Sequence, residues 1–394
     1  VRPIAYPNQY SESEISLLEG QRVKVLIVGG GIGGLSTTLA LRRQGVDVDV
    51  VERDPEWGVY GVGIIQPGNA LRALDELGLA EACVEAGYPI RGDRTWLADG
   101  ETVIAGHEWP PLVAHLPPGN GLTRPKLHEI LTSRTLASGA DVRTGVTFTD
   151  VDTSDDHVDV AFTDGERRQY DLVIGADGLY SKVRERVFGA GLKPRFTGQV
   201  CWRYNLPRLE GLEEIWMWFG PDGSAGFVPL AEDLMYILTI ETPIPDWRAA
   251  IERDGAAAVY RQRLAPFAGP VADAREQIVD DDAIVLRPIE NIIVPAPWYR
   301  GRIVLIGDAA HGATPHCGQG AAQAIEDGIV LAEELAKGVS VTDALESFTE
   351  RRYERCRAIV EGSEKVGQWE QDHSLAIDPD ATRNAVIMTA SAPI

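Results

Sequence analysis

The sequence predicts an α/β fold with a smaller, mixed or antiparallel sheet inserted into it, on three observations. Short β-branched runs of buried-strand type recur at Val23–Val28, Asp171–Ile174 and Ile303–Ile306. The first run leads through glycines and a helical stretch into a second strand, a unit of about 30 residues, which is the size of a parallel crossover. Residues 195–290 differ in character. They hold aromatic-rich stretches such as Met235–Ile240, as an antiparallel sheet would.

The 394 residues carry 37 Lys+Arg against 59 Asp+Glu, a net charge of −22, with 44% apolar and 24% charged residues. That is an ordinary globular composition at a length suited to two or three domains. The acidic balance argues against a nucleic-acid partner and against a polybasic membrane anchor. No apolar run of about 18 residues predicts a membrane span, and the first residues are not of signal-peptide type. Cys83, Cys201, Cys317 and Cys356 lie far apart without a CxxC pair. No disulfide framework, zinc site or other metal is expected, and a reducing, cytoplasmic setting is.

Taken in order, residues 1–22 read as a polar arm in which Ser11 and Glu14 have capping-box spacing. Surface decoration is its simplest role, with a lid or homodimer contact as the alternative. The strand Val23–Val28 precedes a helix over Gly33–Gln44 that stops at Gly45. In Val46–Glu52, alternation puts Val46, Val48 and Val50 on one face and Asp47 and Asp49 on the other. A helix is expected over Asn69–Leu77, and Pro125 opens another with Leu127, Ile130 and Leu131 on one face. Strands follow near Asp141–Arg143, Val146–Val151 and Val158–Phe162. From Gly320 the chain reads as helical to Trp369, with a break near Gly338, and the last 25 residues are weakly patterned. The expected organisation is a main domain of 23–194 and 291–370, an inserted sheet domain of 195–290, and a tail of 371–394.

Gly29-Gly30-Gly31-Ile32-Gly33-Gly34 contains GxGxxG at positions 29, 31 and 34. Gly29 permits the tight turn, Gly31 lets backbone approach a pyrophosphate, and Gly34 lets the helix pack on the sheet. The helix terminus offers unpaired N–H groups to phosphates. Glu52, followed by Arg53, ends the second strand 18 residues after Gly34, where a ribose-binding acid is due. This is a Rossmann-like arrangement, and NAD and FAD both use it. Two more strands end in Gly-Ala-Asp177-Gly178 and Gly307-Asp308. The second is followed by Pro315-His316-Cys317-Gly318-Gln319-Gly320 and then a helix, so backbone N–H groups would again face an electron-accepting group.

Together these stretches resemble the single-component FAD-dependent monooxygenases, the para-hydroxybenzoate hydroxylase-like aromatic hydroxylases. The resemblance rests on Gly29–Gly34 with Glu52, Asp177-Gly178, Gly307-Asp308 and the run Pro315 to Asp327. A weaker match is Gly61-Val62-Gly63-Ile64 with the helix after Pro67. It implies FAD contacts at Gly29, Gly31, Gly33, Gly34, Glu52, Arg53, Gly63 and Ile64. Arg124 would lie near the ribityl and pyrophosphate, Asp308 would accept from a ribityl hydroxyl, and Gly318, Gln319 and Gly320 would present N–H groups to the flavin ring. Asp177 would support the pyrophosphate and contact NAD(P)H. The implied reaction reduces FAD with NADH or NADPH, forms a C4a-hydroperoxide with molecular oxygen, and hydroxylates a small aromatic or N-heteroaromatic substrate. Epoxidation, Baeyer–Villiger insertion and decarboxylative hydroxylation use the same cofactor. A flavin-free binding protein of the GDP-dissociation-inhibitor type is the non-enzymatic alternative, disfavoured by intact Glu52, Asp308 and Gly318–Gly320.

Other candidates have two readings each. His316, beside Pro315, either touches substrate as a proton relay or is a loop histidine bonded to backbone. Arg203 either anchors a carboxylate or phenolate or lies exposed on an edge strand. Trp216, Trp218, Phe227 and Tyr236 either line an aromatic pocket or form core. His311 reads as structural, Cys317 as a buried inert thiol, and Asp280–Asp282 as a solvated loop.

Overall fold

The computed structural model describes residues 23–59 and 61–394. The capping-box expectation at Ser11 and Glu14 lies outside the described residues. A six-stranded sheet forms the centre, in the order Tyr299–Arg300, Ile303–Leu305, Leu172–Gly175, Lys24–Val28, Asp47–Glu52, Asp141–Thr144. All neighbours are parallel except the first pair. Ile27 lies opposite both Ile174 and Val50, and Leu26, Ile27, Val50, Ile174 and Val304 are wholly buried. Strands covered on both faces bury nearly every side chain, which is why these segments read as continuous apolar runs.

The two acids on the other face of the strand Asp47–Glu52 differ, Asp47 being part-exposed and paired with Arg42. Asp49 is buried: it accepts from the Tyr170 hydroxyl at 2.7 Å and from Arg168 at 3.0 Å, and it pairs with Lys24 at 3.2 Å. Tyr170 and Arg168 come from a three-stranded antiparallel sheet, Phe148–Thr153, Val158–Phe162 and Arg167–Tyr170. A buried carboxylate survives because donors surround it.

The second sheet has seven strands, ordered Val285–Asn291, Arg195–Pro207, Leu234–Glu241, Gly223–Pro229, Ile215–Gly220, Gly92–Leu97, Val103–Glu108. It therefore reaches beyond residues 195–290. The hairpin of residues 92–108 docks through a parallel pairing of Gly92–Leu97 with Ile215–Gly220. Its turn is marked in the sequence by Asp99-Gly100, where Asp99 accepts from the Glu101 and Thr102 N–H groups at 2.9 Å. One sheet face is covered by the helices Trp247–Asp254, Ala256–Leu264 and Pro270–Arg275; the other faces the main domain.

The helix Gly320–Ala336 packs along Ile32–Arg43, with Gly328 against Thr37, where a Cβ would lie 2.7 Å from the Thr37 hydroxyl. The 31-residue helix Val341–Gln371 crosses both units. The weakly patterned tail of residues 371–394 contains a helix, Pro379–Ser391. Asp378 caps it by accepting from the Ala381 N–H at 2.9 Å. Only Val386 and Ala390 of that helix are buried, so its periodicity is faint. It packs where Gly362 leaves room, since a Cβ there would lie 2.3 Å from Val386. Among the described residues, no helix is long and apolar enough to cross a membrane.

At the helix junction, Arg352 is 1% exposed and donates to Asp327 and Glu326, each at 2.8 Å. Arg352→Leu would leave two buried carboxylates short of a cation. The expected loss is about 3–5 kcal/mol of stability, read as a lower urea midpoint with an unchanged slope. A variant as stable as the parent contradicts this account.

Candidate active site

The end of the first strand turns sharply at Gly29, whose φ is +113°; a Cβ there would lie 2.4 Å from the Ala176 carbonyl oxygen. At Gly34 a Cβ would lie 2.0 Å from the Gly29 carbonyl oxygen, so the helix touches the turn. Gly33 faces Ala324. Gly31 has no other atom within 4 Å of where its Cβ would be: its open side is the crevice at the carboxyl edge of the sheet. No side chain caps the helix Ile32–Arg43, which leaves its first N–H groups to that crevice. Glu52 accepts from the Gly30 N–H at 2.8 Å and the Asp54 N–H at 2.9 Å, with lone pairs to spare. Arg53 beside it is exposed. Trp57 closes the turn, donating its indole N–H to the Gly30 carbonyl at 2.9 Å.

Across the crevice stands a second bare helix end. Gly318 is left-handed, with φ +64°, and has open space around it; the helix Gly320–Ala336 has no side-chain cap. The Gln319 side chain is turned away and held. Its carbonyl accepts from Asn69 at 3.0 Å, and Asn69 also donates to Glu326 at 3.0 Å. The amides of 318–320 therefore present backbone alone. Asp308 opens the short helix Asp308–His311 after Gly307. Its carboxylate is reached by solvent from the crevice yet crowded by protein. That crowding raises its pKa against the opposing pull of His311 and Arg124.

Arg124 begins the helix Arg124–Ala137 and lies across Gly61, where a Cβ would come 2.5 Å from its Cδ. Gly63 and the buried Ile64 lie on the adjacent strand, with Gly63 tight against Leu230 and Tyr236. Burial and the like charge of Arg203 lower the Arg124 pKa. Arg203 sits on an interior strand, between Val285–Asn291 and Leu234–Glu241, and not on an exposed edge. Among the described residues neither guanidinium has an ion-pair or hydrogen-bond partner for its side chain. Two unpaired, half-buried cations mark a place for an anion or an electron-rich group.

Beyond Arg203 lies a cavity of about 250 Å³ between the second sheet and the loop Pro315–Gln319. Along the strands, alternate residues face it: Ile215, Met217 and Phe219; Tyr236, Leu238 and Ile240; Cys201 and Arg203. The intervening Trp218 and Phe227 are core, packed with Trp216 under the covering helices, while Tyr236 does line the cavity. The aromatic period was legible in the sequence, but its phase was not, and a shift of one residue exchanges the faces.

His316 is walled in. Its Nδ1 lies 2.9 Å from the Thr314 hydroxyl and its Nε2 3.5 Å from Glu370, pressed against Gly367, where a Cβ would lie 2.6 Å from the ring. It lines the cavity with Glu370, Cys317 and the exposed Pro315. Cys317 is half-buried, and burial raises its thiol pKa. Sequence reasoning missed Glu370 and Arg383, which reach the cavity from the carboxyl-terminal helices, and Asp93, from the early hairpin. No local motif marks them.

Asp177 has a structural duty. Its carboxylate accepts from the Ser181 hydroxyl at 2.5 Å and the Lys182 N–H at 2.6 Å, capping the helix Lys182–Phe188, while its backbone abuts Gly29. His311 is likewise structural, 2.6 Å from Asp327 and tilted against Trp298 with the ring centres 5.0 Å apart. Burial opposes its charged form, but Cys356 and Asp327 raise its pKa well above the usual histidine range. Although His311, Asp327 and Cys356 converge as metal ligands might, Asp327 already accepts from His311, the Gly307 N–H and Arg352.

These residues fit a flavin dinucleotide: two uncapped helix ends, an open glycine and a solvent-reached acid share one crevice. The model of the FAD binding domain family matches residues 22–363. The chain belongs to that family, and is a single-component FAD-dependent monooxygenase. It is 32% identical over 344 residues to a putative FAD-dependent monooxygenase, YetM, of Bacillus subtilis, covering 87% of this chain and 92% of the relative. It is 34% identical over 362 residues to aurachin C monooxygenase/isomerase of Stigmatella aurantiaca, covering 88% and 90%. Among solved structures, Klebsiella pneumoniae HpxO complexed with FAD and uric acid superposes with a TM-score of 0.84 at 25% identity, covering 96% of this chain and 99% of that one.

Asn69 ties the bare helix end of this flavoprotein to the buried Glu326. Asn69→Leu would free Gln319 and leave polar atoms unpaired, at about 1–3 kcal/mol. Exchange of the 318–320 amides should then quicken by about 5- to 150-fold. Unchanged exchange would show that the loop is held by other contacts.

Proposed function

We propose that this monooxygenase hydroxylates a small aromatic or N-heteroaromatic substrate, with NADH or NADPH as reductant and molecular oxygen as co-substrate. One observation carries the reading: the apolar cavity shares His316–Gln319 as a wall with the flavin crevice, so a ring lodged there lies against the cofactor's helix end. Bound FAD, once reduced, supplies the activation of oxygen for transfer to the ring. Support for a heteroaromatic ring comes from the fold neighbour that holds uric acid. The four free cysteines agree with a reducing cytoplasmic setting.

In this reading the protein's own residues bind, orient and exclude water. Gly31 and the first turn of Ile32–Arg43 take the pyrophosphate, Glu52 the adenosine ribose, Asp308 and Arg124 the ribityl region, and the amides of 318–320 the ring. Arg203 holds the acidic or phenolic group of the substrate through its planar fork. Glu370 and His316 stand at the cavity wall as acceptors for a substrate O–H proton, which would make the ring more electron-rich. Met217, Leu238 and Ile240 keep the reacting space dry.

Two outcomes test this. Asp308→Ala is expected to weaken FAD retention by about one to two decades, the loss of one hydrogen bond in a polar, crowded site. Unchanged flavin content after dialysis contradicts the assignment. In Arg203→Ala, checked for full flavin content, KM for acidic substrates should rise about 30-fold or more while neutral analogues change little. Equal changes for both would make Arg203 a scaffold residue.

A further inference from the structure

Resting on the reading of the cavity as the aromatic-ring site, we infer that a second chamber at its mouth binds an apolar chain carried by the substrate. The substrate class is then an aromatic or N-heteroaromatic ring with an alkyl or isoprenyl tail. The outer chamber has a volume of about 700 Å³ and shares Asp93, Thr95, Phe219 and Arg383 with the inner one. The inner chamber, at about 250 Å³, lies below the usual range of about 300–1,000 Å³ for small-molecule sites, whereas the two joined lie near its upper end. A ring fills the inner space, and the four shared residues join it to the outer one.

The chemistry of the outer wall selects what lies along that exit. Leu97 and Ile104 come from the hairpin, Phe219 and Pro221 from the middle of the sheet, and Trp369 and Pro379 from the carboxyl-terminal helices. Leu97 is 43% and Ile104 49% exposed. Ile104 belongs to the edge strand Val103–Glu108, where exposed apolar side chains invite aggregation and call for a partner. The polar groups near the throat are turned to other work. Asp93 accepts from the Trp109 indole at 2.7 Å and lies 3.1 Å from His107, and Asp99 is held in its own hairpin turn. The acids Asp93, Asp99 and Asp380 on this wall make it a poor seat for a phosphate or carboxylate tail. Arg383, 3.5 Å from Asp380, stands where ring and chain would meet.

The test titrates the FAD-loaded protein, without NAD(P)H, with two homologous series: 4-alkylphenols and 2-alkyl-4-quinolones, methyl to nonyl. Binding is read from the flavin absorbance. The dissociation constant should fall by about two- to fourfold per added methylene until the chamber is filled. Leu97→Asp and Ile104→Asp change exposed positions, and each should flatten that slope while leaving the methyl compounds bound as in the parent. A dissociation constant independent of chain length in both series, failure of every long-chain member to bind, or a slope that survives both substitutions overturns the inference. In a parallel assay with NADH or NADPH and oxygen, hydroxylation of the short-chain rings by a protein with a flat slope sinks the tail alone. A slope without hydroxylation would instead sink the activity reading.

Discussion

A single buried guanidinium holds the catalytic half of this molecule together. Arg352 bridges Glu326 and Asp327 in the heart of the fold, and each of those acids reaches a different part of the crevice. Asp327 accepts from the Gly307 N–H at 2.8 Å, which sets the turn that presents Asp308. Glu326 accepts from Asn69 and so fixes Gln319 at the neighbouring helix end. It also accepts from Arg355, whose guanidinium grips the Thr389 and Ala390 carbonyls at the far end of the last helix. Buried charges on this scale persist only when every one is paired, so the cluster behaves as one unit.

What the cluster holds is deliberately incomplete. Two helix ends, at Gly31 and Gly318, lack side-chain caps and open onto the same crevice, and among the described residues the Arg124 and Arg203 side chains make no ion pair or hydrogen bond, Arg124 feeling Asp308 only through its field. Left alone, such groups would raise the free energy of the folded chain. Their convergence accounts for a protein that binds an anionic, electron-accepting cofactor and keeps an apolar chamber against it.

The parts of this legible in the sequence were those governed by neighbours along the chain. The Gly29–Gly34 turn, the strand that ends at Glu52, the proline that opens the helix at Arg124, and the bare run Pro315–Gly320 could be placed from sterics and hydrogen-bonding rules alone. Trp216, Trp218, Phe227 and Tyr236 could be named as pocket or core, but not which of them faced the cavity. The donors that hold Asp49 and Asp177 were not legible, because Tyr170 and Arg168 come from a distant sheet and Ser181 and Lys182 from the turn that follows Asp177. Residues 371–394 looked weakly patterned because their helix buries only two side chains.

The sequence by itself determined the family, the cofactor crevice and the order of the strands' chemistry, because a tight turn and an open backbone need glycine whatever surrounds them. Tertiary structure alone decided the apolar cavity beside the crevice. Its walls join Asp93, Arg203, His316, Glu370 and Arg383, and no spacing rule links residues that far apart. Their meeting depends on how one sheet, one long helix and one short terminal helix pack, and packing is settled by the whole set of contacts at once.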